Sequence, residues 1–555
     1  MKQDSFGSWF KSGSPWVWLN AGAVAIALIM TVGLISVIAV RGLAHFWPAD
    51  VMQATYQVPG QTASVIAGEI VQTETVPTTR LISAGVPIQG DSELTTRELI
   101  KQGNREVYGA DFTWVIQPWL SDIQYPKDML VLERREWGNF YGYLVAVQEN
   151  GQVVAQGPAA WSDLQQRLQR TEKLHDQISD IEQSDIRHIN HGLERLRLEQ
   201  RRLELKDRWN STEEQRLNAE RADWQAQYAE VEQRLAELHQ AIQRDSVVLR
   251  TADGREQTLA LAKVVRAYQP NAMGVASKLG YYGEKLWEFV SDAPREANTE
   301  GGVFPAIFGT VLMTIIMAMI VTPFGVLAAV YLREYARQGW LTRTLRIAVN
   351  NLAGVPSIVY GVFGLGFFVY VLGGSIDQLF FPESAPAPTF GTPGVLWASL
   401  TLAILTLPVV IVATEEGLSR IPRMIREGSL ALGATKSETL WKVVIPMASP
   451  AMMTGLILAV ARAAGEVAPL MLVGVVKLAP SLPVDGNYPY LHLDQKIMHL
   501  GFHIMDVGFQ SPNVEAARPL VYATALLLVL VIATLNLTAV FIRNHLREKY
   551  KALDH

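Results

Sequence analysis

The chain has 555 residues, of which 49% are hydrophobic, a formal net charge of −5 at pH 7 and no cysteine. The lack of cysteine excludes bracing disulfides, and the mixed-sign, slightly acidic charge argues against nucleic acid as a partner. The apolar residues gather into long blocks around a very polar middle stretch. Blocks of about 20 apolar residues can cross a hydrocarbon core roughly 30 Å thick, so the pattern predicts an integral membrane protein.

Six apolar blocks are long enough to span a bilayer as helices, which satisfy their own backbone hydrogen bonds there. The first, residues 17–40, lacks the small-residue cleavage site of a secretory signal and is predicted to be a retained anchor. The other five lie in the second half of the chain. They are residues 304–331, 352–372, 395–414, 450–476 and 519–542.

Lys and Arg collect in the loops after the second and fourth predicted spans and in the tail after the sixth. Cytoplasmic loops carry the excess of these residues, so all three segments are expected on the inside, together with both chain termini. Residues 1–16 and 546–555 are then cytoplasmic tails, and residues 41–302 form one long insertion on the outer face. The basic residues are Arg333, Arg337, Arg343 and Arg346, then Arg420, Arg423, Arg426, Lys436 and Lys442, then Arg543, Arg547, Lys549 and Lys551.

The outer insertion contains a long helical stretch, residues 160–244, that is almost free of Gly and Pro. Apolar residues at alternating steps of four and three in its second half are typical of a coiled-coil seam, and a less regular stripe precedes them. The pattern predicts a long antiparallel hairpin that turns near residues 210–212, with Ser211 and Glu214 spaced as a capping box. The seam residues are Trp224, Tyr228, Val231, Leu235, Leu238 and Ile242.

Strand-like runs flank the hairpin, at about residues 51–159 and 245–270. Asn150-Gly151 and Asp253-Gly254 are typical turns of β-hairpins, and alternating or apolar runs lie beside them. The sequence therefore predicts a small β domain that the coiled coil interrupts.

The predicted outer hairpin has two open interpretations. It is either a docking arm for a soluble binding protein or a partner subunit, or a spacer, and the seam alone favours neither because its apolar residues serve self-packing in both cases. Its His175, His188 and His191 lack a shell of carboxylates or cysteines, so no metal site is predicted.

The loop at residues 415–449 carries a spaced motif: Glu427-Gly428-Ser429, then Gly433-Ala434, then Ile445-Pro446. Gly433 permits a turn that is closed to other residues, between two short helices, and the second helix is expected to be capped by Ser437. Such an elbow can seat in a groove on another protein and transmit movement to the flanking helices. The sequence contains no G-x-x-x-x-G-K-[ST] phosphate loop, so energy is expected from a separate subunit.

Two charges, Arg462 and Glu466, lie within the otherwise apolar stretch 450–476. Charges at such depth cost about 2.5 kcal/mol or more and usually face a pathway or each other. Their spacing predicts one helix face, where Arg462 offers donors suited to the oxygens of phosphate and Glu466 holds it when no anion is present. The alternative is an ion pair that only stabilises packing against another subunit.

The loop at 415–449 resembles the EAA loop of ABC importer permeases, although Gly428 and Ser429 replace its two alanines. Four further strings resemble the PstA branch of the phosphate-specific importers. The resemblance covers the first span and nearly everything from about residue 302 onward, and the outer insertion lies outside it. The strings are GVFPAIFG (302–309), NLAGVPSIVYGVFG (351–364), ARAAGEVAPL (461–470) and QSPNVEAARPL (510–520).

The resemblance implies an all-α transmembrane, six-helix ABC importer permease fold of the type I, MetI-like kind, with the periplasmic α+β domain and its coiled-coil hairpin added. Residues 303–545 would form the permease core in the bacterial inner membrane and carry half of a phosphate pathway. The implied partners are a PstC-type permease, a pair of PstB-type ATP-binding subunits and a periplasmic PstS-type phosphate-binding protein. This chain itself would hold no catalytic residue, metal or cofactor, since ATP and Mg would be used by the partner ATPase.

In the resemblance, the residues that couple the permease to the ATPase belong to the elbow. They are Glu427, Gly428, Ser429, Gly433, Ala434 and Pro446. Two other functions remain open: a permease for sulfate or molybdate, which an arginine serves equally well, and a membrane scaffold that senses phosphate through its coiled coil.

Overall fold

The computed structural model describes residues 12–88, 92–295, 298–511 and 514–551. Most of the predicted tail 1–16 and the end of the tail 546–555 lie outside these residues. Within the described part of the chain, six helices are long and apolar enough to cross a membrane, which confirms the predicted number. They are named spans 1 to 6 and run Ser14–Ala44, Phe304–Tyr335, Ser357–Phe380, Val395–Arg420, Lys436–Gly465 and Ala517–His545.

Spans 2, 4 and 5 pack closely because small residues line their contacts. A Cβ atom added to Gly325 of span 2 would lie 2.6 Å from Val410 of span 4. A Cβ atom on Gly455 of span 5 would lie 2.6 Å from Ala413 of span 4. Span 4 is therefore the central helix of the bundle, and half or more of its residues are buried.

The predicted third span, residues 352–372, has the wrong start. An amphipathic helix, Trp340–Leu352, ends where the span was expected to begin, and span 3 starts only at Ser357. Pro356 explains the break, because a proline disfavours helical backbone in the residue before it.

The predicted fifth span, residues 450–476, is wrong at both ends. Span 5 begins at Lys436 and its helix ends at Gly465, and Glu466 has extended backbone with φ −81° and ψ 135°. Pro469 explains the end, because its ring lacks an N–H and clashes with the carbonyl four residues earlier, that of Gly465. A short helix, Leu470–Val473, follows.

Thirteen strands lie between spans 1 and 2 in the described residues. They are β1 (Val51–Tyr56), β2 (Ser64–Pro77), β3 (Leu94–Lys101), β4 (Phe112–Ile116), β5 (Leu120–Gln124), β6 (Leu130–Arg134), β7 (Phe140–Glu149), β8 (Gln152–Gln156), β9 (Asp245–Arg250), β10 (Glu256–Ala260), β11 (Val264–Tyr268), β12 (Pro294–Arg295) and β13 (Glu300–Gly301). The first sheet has the order β4-β3-β2-β1-β5, and the second has the order β10-β9-β7-β6-β11 with β8 beside β7.

The second sheet joins strands from both sides of the helical hairpin. Val147 of β7 lies opposite Val247 of β9, and Leu132 of β6 lies opposite Ala267 of β11. The predicted β-rich region is confirmed, and the hairpin enters and leaves it through the single sheet. Because Leu164 of the first hairpin helix is buried against this sheet, the base of the hairpin is fixed.

The hairpin consists of two antiparallel arms. The first arm is Pro158–Asp180 and Ile186–Leu205, joined by a π-helical turn, and the second arm is Ser211–Ile242. Arg216 pairs with Glu199 across the arms at 2.5 Å. The predicted cap is wrong by one residue: the Asn210 side chain, not that of Ser211, accepts from the first free amides. Supercoiling of the arms stays a prediction.

The hairpin does not stand free of the bundle. Arg202 of its first arm pairs at 2.5 Å with Glu383, a buried carboxylate in the loop after span 3. His188 contacts the Asn487 side chain at 2.8 Å, in the loop between the fifth and sixth spans. These contacts place the sheets and the hairpin at one end of the bundle, the sheet end, and the loop after span 4 at the other end, the elbow end.

The remaining helices are short and connect these parts. They are Thr78–Ser83, Arg105–Tyr108, Val275–Ser291, Arg423–Ala431 and Leu500–Met505.

Candidate functional site

The loop after span 4 folds into two helices that meet at a tight turn, as predicted. The helix Arg423–Ala431 is followed by Gly433 with φ 87°, and span 5 begins at Lys436. No heavy atom of the described residues lies within 4 Å of a Cβ built at Gly433, so space does not require glycine there. The left-handed backbone requires it, because other residues rarely adopt that conformation.

The second helix of the elbow has a reciprocal cap, and it is not the predicted one. The Thr435 hydroxyl accepts from the amide of Glu438 at 3.2 Å, and the Glu438 carboxylate accepts from the amide of Thr435 at 3.0 Å. Ser437 lies inside the helix, so the prediction that it forms the cap is wrong. Ser429 and Thr439 share a hydroxyl hydrogen bond of 2.9 Å between the two helices, which holds the elbow as one unit.

The elbow is attached to the end of span 2 through residues that the sequence reasoning did not select. Arg426 pairs with the Glu334 carboxylate at 3.0 Å and donates to the carbonyl of Leu418 in span 4 at 2.7 Å. Lys436 donates to the carbonyl of Glu334 at 2.5 Å and lies 4.4 Å from the centre of the Tyr335 ring. The elbow is therefore in contact with spans 2 and 4 and continuous with span 5. The only sequence signal for this attachment was Glu334, an acidic residue in an otherwise basic loop.

Large apolar side chains on the elbow are exposed, and we call them the elbow patch: Met424, Leu430, Leu432 and Trp441. Leu432 is 90% exposed and Met424 81% exposed. Contiguous exposed apolar groups on a soluble-facing surface typically mark a protein interaction site. The sequence analysis did not select these residues, because their exposure depends on how the elbow folds.

The predicted coupling residues lie on or beside this surface. Glu427, Gly428 and Gly433 are exposed, and Ser429 and Ala434 are half-buried. Pro446 lies farther along, near the start of the helix Ile445–Gly465, directly after a π-helical turn. The structure therefore brings five of the six together at the elbow and separates Pro446 from them.

The second predicted feature is the charge pair. Arg462 Nε lies 3.6 Å from Glu466 Oε1, and the side chains are 33% and 21% exposed. They do not share a helix face as predicted, since the helix ends at Gly465 and Glu466 caps it with extended backbone. The distance exceeds that of a good hydrogen bond, so the guanidinium keeps donors for another acceptor.

The charge pair lies at mid-height in the bundle. Gly455 faces Ala413, and Gly474 faces Gly394 at the sheet end of span 4, so Arg462 lies beside the middle of span 4. The break after Glu466 packs on span 3, where a Cβ on Gly361 would lie 2.7 Å from the Pro469 backbone. Non-helical backbone at membrane depth is tolerated only where protein buries it or where it lines a cavity.

These features together define a class of protein. Six membrane-length helices, a partly exposed charge pair at a helix break and an elbow with an apolar patch are the features of a transport permease that works with a separate partner.

Comparisons with known proteins agree with this class. Residues 321–552 match the family described as "Binding-protein-dependent transport system inner membrane component". The phosphate transport system permease protein PstA 1 of Mycobacterium tuberculosis (strain CDC 1551 / Oshkosh) is 36% identical over 247 residues, which are 44% of this chain and 71% of that protein. The phosphate transport system permease protein PstC of Xylella fastidiosa (strain 9a5c) is 33% identical over 209 residues, 36% of this chain and 64% of that protein.

A solved structure of the MetNI methionine ABC transporter in inward-facing conformations aligns with 20% identity and a TM-score of 0.32, over 47% of this chain and 98% of that one. On the strength of the sequence relatives, the chain belongs to the family of binding-protein-dependent transport system inner membrane components, among its PstA-type permeases. The region between spans 1 and 2, with its two sheets and hairpin, precedes the matched family region.

Proposed function

We propose that this chain is the PstA-type permease subunit of an ATP-driven importer of inorganic phosphate and forms half of its translocation pathway. The observation that carries the proposal is the 36% identity over 247 residues to a phosphate transport permease. The elbow would supply a docking surface for an ATP-binding subunit, and the mid-height charge pair would supply a cation in the pathway.

The proposed orientation follows from the basic residues. Arg423, Arg426 and Lys436 lie at the elbow end, which we therefore assign to the cytoplasm of a bacterial inner membrane, with both chain termini on that side. The sheet end, residues 41–302, is then periplasmic. In this arrangement the hairpin and the elbow lie on opposite sides of the membrane.

The elbow would seat in a groove of an ATP-binding subunit, one of a PstB-type pair that uses ATP and Mg. The elbow patch would fill the groove, and the reciprocal Thr435–Glu438 cap and the Ser429–Thr439 bond would keep the elbow rigid under load. Glu334 and Arg426 would then carry the movement into spans 2 and 4.

Arg462 would bind the phosphate oxyanion as it passes between this chain and a PstC-type partner permease. A guanidinium offers several hydrogen-bond donors in a fixed plane, which suits phosphate oxygens. The Arg462 side chain is 33% exposed, so an anion could reach it. Glu466 would hold Arg462 loosely between transport cycles. A periplasmic PstS-type binding protein would deliver the anion at the sheet end.

The test is uptake of labelled phosphate by the reconstituted complex of wild type and Arg462→Ala. We expect uptake to fall about tenfold or more while the complex elutes intact, because one or more charge-assisted hydrogen bonds to the anion are lost. Arg420→Ala is the matched control, since it removes an 80% exposed arginine at the end of span 4 and should leave uptake unchanged. Wild-type uptake by assembled Arg462→Ala would remove this residue from the pathway.

Competition distinguishes the other oxyanions. Unlabelled phosphate should block uptake, whereas sulfate and molybdate should not; equal competition by sulfate would identify a different oxyanion permease. A phosphate-sensing scaffold would instead show undiminished uptake in membranes after the elbow is disabled.

A further inference from the structure

A large cavity lies where the sheet end of the bundle meets the β domain. It has a volume of about 860 Å³ and is lined by the last turn of span 1, the first turn of span 6, strands of the β domain and the helix Val275–Ser291. We call it the junction cavity. Its volume falls within the roughly 300–1,000 Å³ of typical ligand sites and far exceeds that of a free phosphate ion.

Two acidic residues that line the junction cavity, Glu133 of β6 and Glu288 of the helix Val275–Ser291, are held by neighbouring side chains of the same wall. Glu133 accepts from the Tyr281 hydroxyl at 2.5 Å and from Lys285 at 2.6 Å. Glu288 accepts from Lys285 at 3.0 Å and from Arg295 at 2.5 Å. Lys285 and Arg295 are therefore engaged in ion pairs with these acids.

On the bundle wall, two arginines have no ion-pair partner among the described residues. Arg41 of span 1 donates to the Tyr522 hydroxyl at 3.1 Å, and Arg518 lies one turn before Tyr522 on span 6. Among the described residues, no carboxylate lies within ion-pair distance of Arg41 or Arg518. Two arginines therefore face the cavity from one side with donors to spare.

The position of this wall matches a membrane surface. Arg41 lies in the last turn of span 1 and Arg518 in the first turn of span 6, so both guanidinium groups lie at the level of lipid headgroups. Apolar side chains line the same cavity, including Trp47, Ile70 and Val71, each about 40% exposed. An occupant with both a phosphate and apolar atoms fits this lining better than a bare ion.

We propose that the junction cavity binds a phosphate-bearing anion, the headgroup of a phospholipid, through Arg41 and Arg518. The two guanidinium groups take the phosphate oxygens in charge-assisted hydrogen bonds, and the apolar residues contact the start of the acyl chains. The site is separate from Arg462 and stands whichever anion the chain transports. It ties the β domain to the bundle through a lipid.

The test is native mass spectrometry of the full permease complex, released from nanodiscs of phosphatidylcholine with phosphatidylglycerol. Wild type should retain bound phospholipid through detergent washing. Arg41→Gln with Arg518→Gln should retain at least about tenfold less, because two charge-assisted contacts are lost. Arg420→Gln, an exposed arginine at another span end, is the matched control and should retain lipid as wild type does.

A second arm distinguishes the two sources of phosphate. Labelled inorganic phosphate is offered to the complex in discs of phosphatidylcholine alone, in an Arg462→Ala background that removes the proposed pathway cation. If the complex binds labelled phosphate and the two glutamine substitutions abolish that binding, the arginine site is confirmed and its ligand is free phosphate. Arg518→Gln alone serves if the double variant does not assemble. Lipid and phosphate retention that is unchanged by these substitutions would overturn the proposal.

Discussion

Two helix-turn-helix protrusions extend from opposite ends of this molecule, and their surfaces are built differently. The hairpin at the sheet end satisfies its own charges, with pairs such as Arg216–Glu199 across its arms and Arg197–Glu194 along one arm. In the elbow, the backbone amides after the turn are capped by side chains, but Leu432 and Met424 are almost fully exposed. Ion pairs within the hairpin hold several of its charges, whereas the elbow exposes large apolar side chains.

The comparison separates two kinds of attachment as well. The hairpin touches the bundle through a few polar contacts from one arm, including Arg202–Glu383. The elbow is continuous with spans 4 and 5 and pairs with span 2. A push on the elbow reaches the bundle directly, so the elbow is suited to coupling. The hairpin can shift with little cost to the bundle.

The largest effect is expected for Leu432→Glu at the tip of the elbow. If a partner buries Leu432, the change removes about 1.5–3 kcal/mol of apolar burial and places a charge in the groove, which predicts a loss of ATPase co-purification of about tenfold to a hundredfold. Leu205→Glu at the far end of the hairpin is the control, since that leucine is 48% exposed on the other protrusion, and it should leave ATPase co-purification unchanged. Equal losses of ATPase co-purification in both variants would show that the two protrusions do not differ in ATPase binding.

A somewhat smaller effect is expected for Gly433→Val. Left-handed backbone costs a residue with a side chain roughly 1–2 kcal/mol, so the turn opens and ATPase co-purification and uptake should fall about fivefold to thirtyfold. Gly254→Val is the control, because Gly254 has φ 89° and open space around a built Cβ but lies in a turn of the β domain, away from the elbow. Undisturbed coupling in Gly433→Val would show that the elbow's shape is not what the partner recognises.

The smallest effect is expected for Arg202→Ala in the hairpin. The arginine of this ion pair is half-exposed, so loss of the pair costs about 1 kcal/mol or less. Hydrogen-exchange protection of residues 186–205 should therefore fall by up to about fivefold. Phosphate uptake should stay unchanged. Arg197→Ala, whose partner lies on the same helix, is the control. A loss of uptake as large as that from the elbow variants would show that this hairpin contact is needed for transport.

The same contact has a predicted pH dependence. Burial raises the pKa of Glu383, but the hydrogen bond from Arg202 offsets this and leaves that pKa below its ordinary value. A lowered pKa stabilises the folded contact above the ordinary carboxyl pKa of about 4.3, and that stabilisation is lost as the pH falls further. Hairpin protection should therefore stay constant from neutral pH to about that value and fall below it. In Arg202→Ala the hydrogen bond and the charge of Arg202 no longer lower the pKa of Glu383, so the fall in protection at low pH should become smaller.

Much of this architecture is readable in the sequence because hydrophobic length decides a membrane span. The six spans, the elbow around Gly433 and the strands on both sides of the hairpin follow from apolar runs, a glycine and turn residues. The break of span 5 was missed although Pro469 was visible, because apolar residues continue beyond that proline to residue 476.

The rest depends on contacts between distant segments. The pairing of Arg426 with Glu334 joins residues 92 positions apart, and no local pattern in either segment predicts it. The caps at Thr435 and Asn210 lie within two residues of the predicted ones, because several side chains near each helix start can accept the same amides. The junction cavity requires four separate elements to meet, so only the folded chain reveals it.

The most direct test of the central claim is phosphate accumulation in proteoliposomes that contain this chain and its partner permease, with and without the ATP-binding subunits. The account predicts accumulation only when those subunits and ATP are present, and its loss when Leu432→Glu breaks the grip at the elbow. Accumulation by the permeases alone, or undiminished accumulation with the altered elbow, would contradict it.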